Sequence, residues 1–101
     1  MGKVATKTKN VPNTMIKEPS MYKVIYLNDD STTFDFVVST LTKFFNHSMD
    51  AAEGIAKYIH ENGSGVAGIF PYELAEQKGV EVTRLARAEG FPLVVKLESD
   101  E

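Results

Sequence analysis

The seven residues Met21-Tyr22-Lys23-Val24-Ile25-Tyr26-Leu27 alternate in polarity and run without a spacer into Asn28-Asp29-Asp30. Period-two alternation rich in Val, Ile and Tyr is a strand pattern. The three polar residues end it. Beyond them Phe34, Val37, Val38, Leu41, Phe44 and Phe45 recur at spacings of three and four, which makes one wide apolar helical face. Ser31 or Thr32 is placed to cap that helix, and Thr32 with Asp35 has the spacing of a capping box. The polar triplet therefore has two possible uses, as a turn or as a set of ligand-binding groups.

The pattern changes again at Asn46-His47-Ser48, where His47 reads as an ordinary loop residue. Ser48 opens a second helix whose inner face is Ala52, Ile55, Ala56 and Ile59 and which stops on Asn62-Gly63. Gly54 inside it costs roughly 1 kcal/mol relative to Ala. Residues 65–70, Gly-Val-Ala-Gly-Ile-Phe, form a second strand, with Gly68 allowing another backbone or side chain to come close. Pro71 suits the first turn of a third helix that Gly90 ends, and residues 92–98 are a last strand. The order β-α-α-β-α-β predicts an α/β fold of the two-layer α+β type, a three-stranded antiparallel sheet carrying three helices on one face. Residues 1–20 have few large apolar side chains and no sustained period, so they are expected to form a flexible extension ahead of a core domain spanning 21–101.

Charge and composition narrow the partners. Residues 1–20 hold Lys3, Lys7, Lys9 and Lys17 against Glu18, a net of +3. That leaves 7 basic and 13 acidic groups, a net of −6, on the remainder. An acidic body argues against nucleic acid, which needs Lys and Arg clustered on one face. No run is long and apolar enough to span a membrane. With no cysteine there is no disulfide, thiolate metal site or cysteine nucleophile, which fits a reducing cytoplasm. A second apolar face is not evident, so a monomer is expected.

Asn28, Asp29, Asp30 and Ser31 are by spacing alone a polar turn with a helix cap, because all four bond nearby backbone N–H groups. The alternative is a cation site, since adjacent carboxylates accept from an ammonium and Asn both donates and accepts. His60 near the end of the second helix complements the negative end of the helix dipole or contributes a polar contact at a site rim. A small hydrolase using Asp29, Asp30 and His60 is the weaker alternative: nothing supplies a nucleophile with a partnered base, and no metal-ligand spacing is present. No cofactor motif occurs; residues 62–68 lack the Lys and following helix of a phosphate loop. Phe34, Val37, Ala56, Ile59 and Leu93 are core by periodicity.

Residues 20–45, 59–70, 73–78 and 91–98 together resemble ClpS, the adaptor family of the bacterial N-degron pathway. The Asn-Asp-Asp after the first strand, the His ending the second helix, the Gly-x-Gly-Val-x-Gly strand and the Phe-Pro-Leu before the last strand agree jointly. The resemblance implies a protein that makes and breaks no bond and needs no cofactor or metal. It would bind the first residue of a substrate protein and pass it to a ClpA-type unfoldase, which feeds ClpP. It implies that Asn28, Asp29 and His60 hold the free α-amino group and first peptide unit, with Asp30 mainly bracing the turn. Thr32, Phe34, Val37, Ala56, Ile59 and Leu93 would line the side-chain pocket. Glu73 and Lys78 would face the unfoldase's N-terminal domain, and the extension would serve in handing over cargo.

Two departures from the family pattern bear on specificity. Relatives commonly carry Tyr-Thr-Pro-Met where this chain has Ser31-Thr32-Thr33-Phe34, and Met where it has Ala56. The smaller Ala56 opens one wall of the pocket and Phe34 refills part of it. Ile and Val are thus expected as first residues beside Leu, Phe, Tyr and Trp. The compact topology also resembles the C-terminal domain of the ribosomal stalk protein, but that reading leaves Asn28, Asp29 and His60 without a shared task. Fold likeness alone does not decide between them.

Overall fold

The computed structural model describes residues 19–101; the expected extension lies outside them but for Pro19 and Ser20. Strand β1 (Met21–Leu27) is followed by α1 (Phe34–Phe45), α2 (Met49–Asn62), β2 (Ser64–Pro71), α3 (Tyr72–Ala88) and β3 (Val94–Ser99). The sheet order is β2-β1-β3 and both pairings are antiparallel, so the first strand occupies the centre. This is the expected β-α-α-β-α-β two-layer fold.

The core lies between sheet and helices. Val24 and Tyr26 of β1 are fully buried against Leu41, Ala75, Val82 and Ala86. The buried Tyr26 hydroxyl bonds Thr40 Oγ1 at 2.7 Å, and Thr40 in turn donates to the Val37 carbonyl at 2.9 Å. A reading by apolar spacing passes over Thr40, although it sits on the core face with 0% exposure. Two other details of α1 differ from expectation. Its cap is Thr33, whose hydroxyl accepts from the Phe36 amide at 3.2 Å, and neither Ser31 nor Thr32 serves that end. Starting the helix at Phe34 turns that ring outward, 47% exposed, while Phe36 takes the buried place and packs on Phe91 with ring centroids 4.9 Å apart.

Ser48 caps α2 as expected, accepting from the Ala51 amide at 3.1 Å. Pro71 sits at the N-cap of α3, one residue before the first turn. The β1–β2 register shifts between Val24, opposite Gly68, and Ile25, opposite Val66, which leaves Ala67 as the extra residue. His47 Nε2 lies 2.6 Å from the Ala67 carbonyl, which fixes Nε2 as the donor. The residue expected to be an idle loop histidine thus pins the α1–α2 connection to the bulge. A Cβ on Gly68 would lie 2.8 Å from the Phe70 ring and 3.0 Å from Phe45, so the close approach expected there is real.

Candidate functional site

The end of β1 is held from the side of α2. The Asn28 amide donates to the Gly63 carbonyl at 2.9 Å, and Gly63, at φ 91°, is also the C-cap of α2, its amide donating to Ile59. One glycine therefore ends the helix that carries His60 and anchors the strand end that carries Asn28. A side chain at that φ would strain both. On the other flank Arg87 Nη1 donates to the carbonyls of Phe91 and Leu93, each at 2.9 Å, and fixes the approach to β3, whose last pair with β1 is Leu27–Val94.

Within the turn the two aspartates do different things. Asp29 Oδ1 accepts from the Ser31 amide at 2.8 Å and the Thr32 amide at 2.7 Å, and Oδ2 accepts from the Thr32 hydroxyl at 2.7 Å. Burial pushes its carboxyl up, but the Thr32 hydroxyl, the Thr32 and Ser31 amides and the charge of Arg87 outweigh it, so the net shift is downward. The bracing expected of Asp30 belongs to Asp29. Among the described residues the side chains of Asn28, Asp30 and His60 make no hydrogen bond within the chain, and all three are exposed.

These groups converge. Asn28, Asp29, Asp30, Thr32, Phe34, Val37, Ala56, Ile59 and His60 line one cavity of about 320 Å³. Its mouth carries the acceptors; Val37, Ala56 and Ile59, each under a tenth exposed, form its base. The last expected lining residue, Leu93, is 1% exposed in the same core as Ala56 and Ile59 but is not among the side chains lining the cavity. Glu73 and Lys78 lie apart from the cavity, on the first half of α3. Lys78 Nζ sits 5.9 Å from the Phe70 ring centroid. A larger groove of about 450 Å³ between α3 and β3 is lined by Gly79, Val80, Thr83, Val95 and Leu97 with Glu76 and Arg84. It has no convergent set of acceptors, so the smaller cavity is the better site. No group of three or more His, Asp or Glu residues among the described residues is placed to hold a metal ion. No helix there is long and apolar enough to cross a membrane.

The domain is thus a small two-layer fold with an apolar cavity rimmed by acceptors. Comparison with known proteins gives the family. The pattern of "ATP-dependent Clp protease adaptor protein ClpS" matches residues 17–96. The ATP-dependent Clp protease adapter protein ClpS of Campylobacter jejuni subsp. jejuni serotype O:23/36 is 43% identical over 94 residues, covering 93% of this chain and 98% of that protein. The protein of the same description from Rhodospirillum centenum is 48% identical over 84 residues, 83% of this chain and 78% of that protein. The structure of Agrobacterium tumefaciens ClpS2 bound to L-phenylalaninamide superposes with a TM-score of 0.79 at 36% identity, covering 82% of this chain and 100% of that one. The chain belongs to the ClpS family of Clp protease adaptors.

Arg87 and Gly63 were not singled out by the sequence as parts of the site. Gly63 carried a signal as a helix stop and as the first glycine of the Gly-x-Gly-Val-x-Gly run, and nothing in the spacing marks Arg87 as a clamp for carbonyls that follow it.

Proposed function

We propose that the cavity binds the free α-amino group and apolar side chain of a substrate protein's first residue, an N-degron. The observation that carries this is the joining of unpartnered acceptors and a closed apolar base in one hollow. An α-ammonium has three donors. The Asn28 carbonyl, the Asp30 carboxylate and a His60 ring nitrogen supply acceptors for them, each charge-assisted bond contributing roughly 1.5–3 kcal/mol. Asp29 keeps one lone-pair position free but acts first as the brace that shapes the turn. The first side chain passes Thr32 and Phe34 and packs on Val37, Ala56 and Ile59, which adds roughly 1.5–3 kcal/mol for a large apolar group. At about 320 Å³ the hollow is near the lower end of ligand sites, roughly 300–1,000 Å³. It has room for one residue.

The A. tumefaciens ClpS2 structure is bound to L-phenylalaninamide, a first residue with a free amine and no carboxylate, and that ligand supports the same reading here. The protein would then act as a cytoplasmic monomer that performs no chemistry itself. It presents Glu73 and Lys78 to the N-terminal domain of a ClpA-type unfoldase, and residues 1–20 serve in transfer. Fluorescence-polarisation binding to peptides differing only in the first residue tests it. Leu, Phe, Tyr and Trp should bind at least about tenfold more tightly than Ala, about 1.4 kcal/mol. Equal binding across the panel would refute it.

A further inference from the structure

The groove of about 450 Å³ between α3 and β3 has no task in the first-residue site. Val95 and Leu97 face it from β3, Gly79 and Val80 from α3, and Val80 is 46% exposed. Val95 and Leu97 pair with Tyr26 and Val24, and β3 has a neighbour on one side only, so the groove opens at the edge of the sheet on its helix-covered face. The chain enters the fold at one end of it. The Met21 carbonyl accepts from the Asp100 amide at 2.9 Å and Tyr22 pairs with Ser99, which puts Ser20 beside the end of β3. The Tyr22 ring packs edge-on against Tyr72 at 5.1 Å, and the Tyr72 hydroxyl donates to Glu76, so Glu76 marks the near end of the groove. Arg84 lies two turns farther along α3.

From this placement we infer that residues 11–17 of the same chain dock back into the groove as a strap, with Met15 and Ile16 against Val80, Val95 and Leu97 and with Lys17 beside Glu76. Met15 and Ile16 form the adjacent pair of large apolar residues in the extension, and Glu18-Pro19-Ser20 is a turn composition. Lengths agree. Leu97 lies opposite Val24, about 13 Å along β1 from Ser20. Ile16 is four residues ahead of Ser20, at most about 14 Å of chain, so a reversal at Pro19 brings it level with Leu97. Charge agrees as well: residues 1–20 carry a net of +3, and Glu76, Asp100 and Glu101 stand where the extension enters. A tether of a few residues sets an effective concentration on the order of millimolar, so two apolar side chains suffice to hold the strap. The inference does not depend on what the first-residue cavity binds.

The chain has no cysteine, so one introduced pair of thiols in the full-length protein reports one contact. Asn13→Cys is combined either with Thr83→Cys, inside the groove, or with Lys96→Cys, which lies on β3 between Val95 and Leu97 but points to the opposite face of the sheet. An undocked extension reaches both and would close the two disulfides at similar rates. The strap predicts closure with Thr83→Cys at least about tenfold faster than with Lys96→Cys in dilute protein, a direct reading of local concentration. Met15→Asp with Ile16→Asp on the extension, or Val80→Ser at its exposed position on the groove, should each bring the two rates to within about twofold by removing the apolar contact. Added salt should narrow the gap less, through the charges alone. Equal rates in the parent chain, or a preference for Thr83→Cys that survives Met15→Asp with Ile16→Asp, would overturn the strap. Disulfides that join two chains instead of closing within one would overturn it too, and would make the groove a site for a second copy.

Discussion

Replacing each aspartate of the turn by alanine should separate two roles that adjacent, identical side chains otherwise disguise. Asp29 accepts three hydrogen bonds, two from amides and one from the Thr32 hydroxyl. Deep in a core, bonds to a charged acceptor are worth roughly 1.5–3 kcal/mol each. This turn is part-exposed and the freed amides can bind water, so the expected loss in Asp29→Ala is that of a strong cap, about 1–2 kcal/mol. Asp30 has no partner within the described residues, and Asp30→Ala should change stability by no more than about 0.5 kcal/mol. Affinity should behave differently. Asp30→Ala removes one charge-assisted contact to the substrate amine and should weaken a Leu-led peptide about tenfold, 1.4 kcal/mol. Asp29→Ala should weaken it too, but through a loosened turn. Urea denaturation and fluorescence polarisation on the same samples read the two effects. The pH dependence adds a check on sign. The folded pKa of Asp29 is lowered from an unfolded value of about 3.9. Its contribution is therefore complete above that value and fades as pH falls through the folded pKa. The stability gap between Asp29→Ala and wild type should close in strong acid. An Asp29→Ala protein as stable as wild type at pH 7, or an Asp30→Ala protein that binds normally, would refute the division of labour.

Gly63→Ala should cost about 1–3 kcal/mol in stability, because it forces a side chain into the left-handed region at φ 91°. The same variant should weaken peptide binding, since Gly63 anchors both Asn28 and the end of α2; unchanged affinity would show that the anchor is dispensable. In the first-residue panel, an Ile-led peptide should bind within about 100-fold of its Leu twin, a gap of less than 2.7 kcal/mol. Ala56→Met should weaken Ile and Val binding more than Leu binding, whereas a uniform effect would mean Ala56 does not set shape selectivity.

Most of the fold was legible because apolar period and helix punctuation agree along this chain. The β1 strand, the Ser48 cap and the Asn62-Gly63 stop each stand where local chemistry puts them. The errors cluster where a residue's partner is far away in sequence or where one-residue phase matters. Phe34 and Phe36 are equally apolar, and only the start of the helix at Thr33 decides which one the core receives. Nothing local distinguishes Asp29 from Asp30; three donors following in the turn do. His47 was unreadable for a similar reason, since its acceptor is a carbonyl twenty residues on, exposed by a bulge that composition does not announce. The cavity itself was legible through resemblance, because the periodic pattern alone assigns Val37, Ala56 and Ile59 to the core.

The most direct test of the central claim is one comparison of affinities, a Leu-led peptide against the same peptide acetylated at its α-amine. Acetylation removes the cation and two donors while leaving the side chain intact, so acceptors at the mouth lose their partners, at roughly 1–3 kcal/mol each. Binding should fall by at least about 100-fold, 2.7 kcal/mol. Equal affinity for the two peptides would mean that Asn28, Asp30 and His60 do not read a free α-amine.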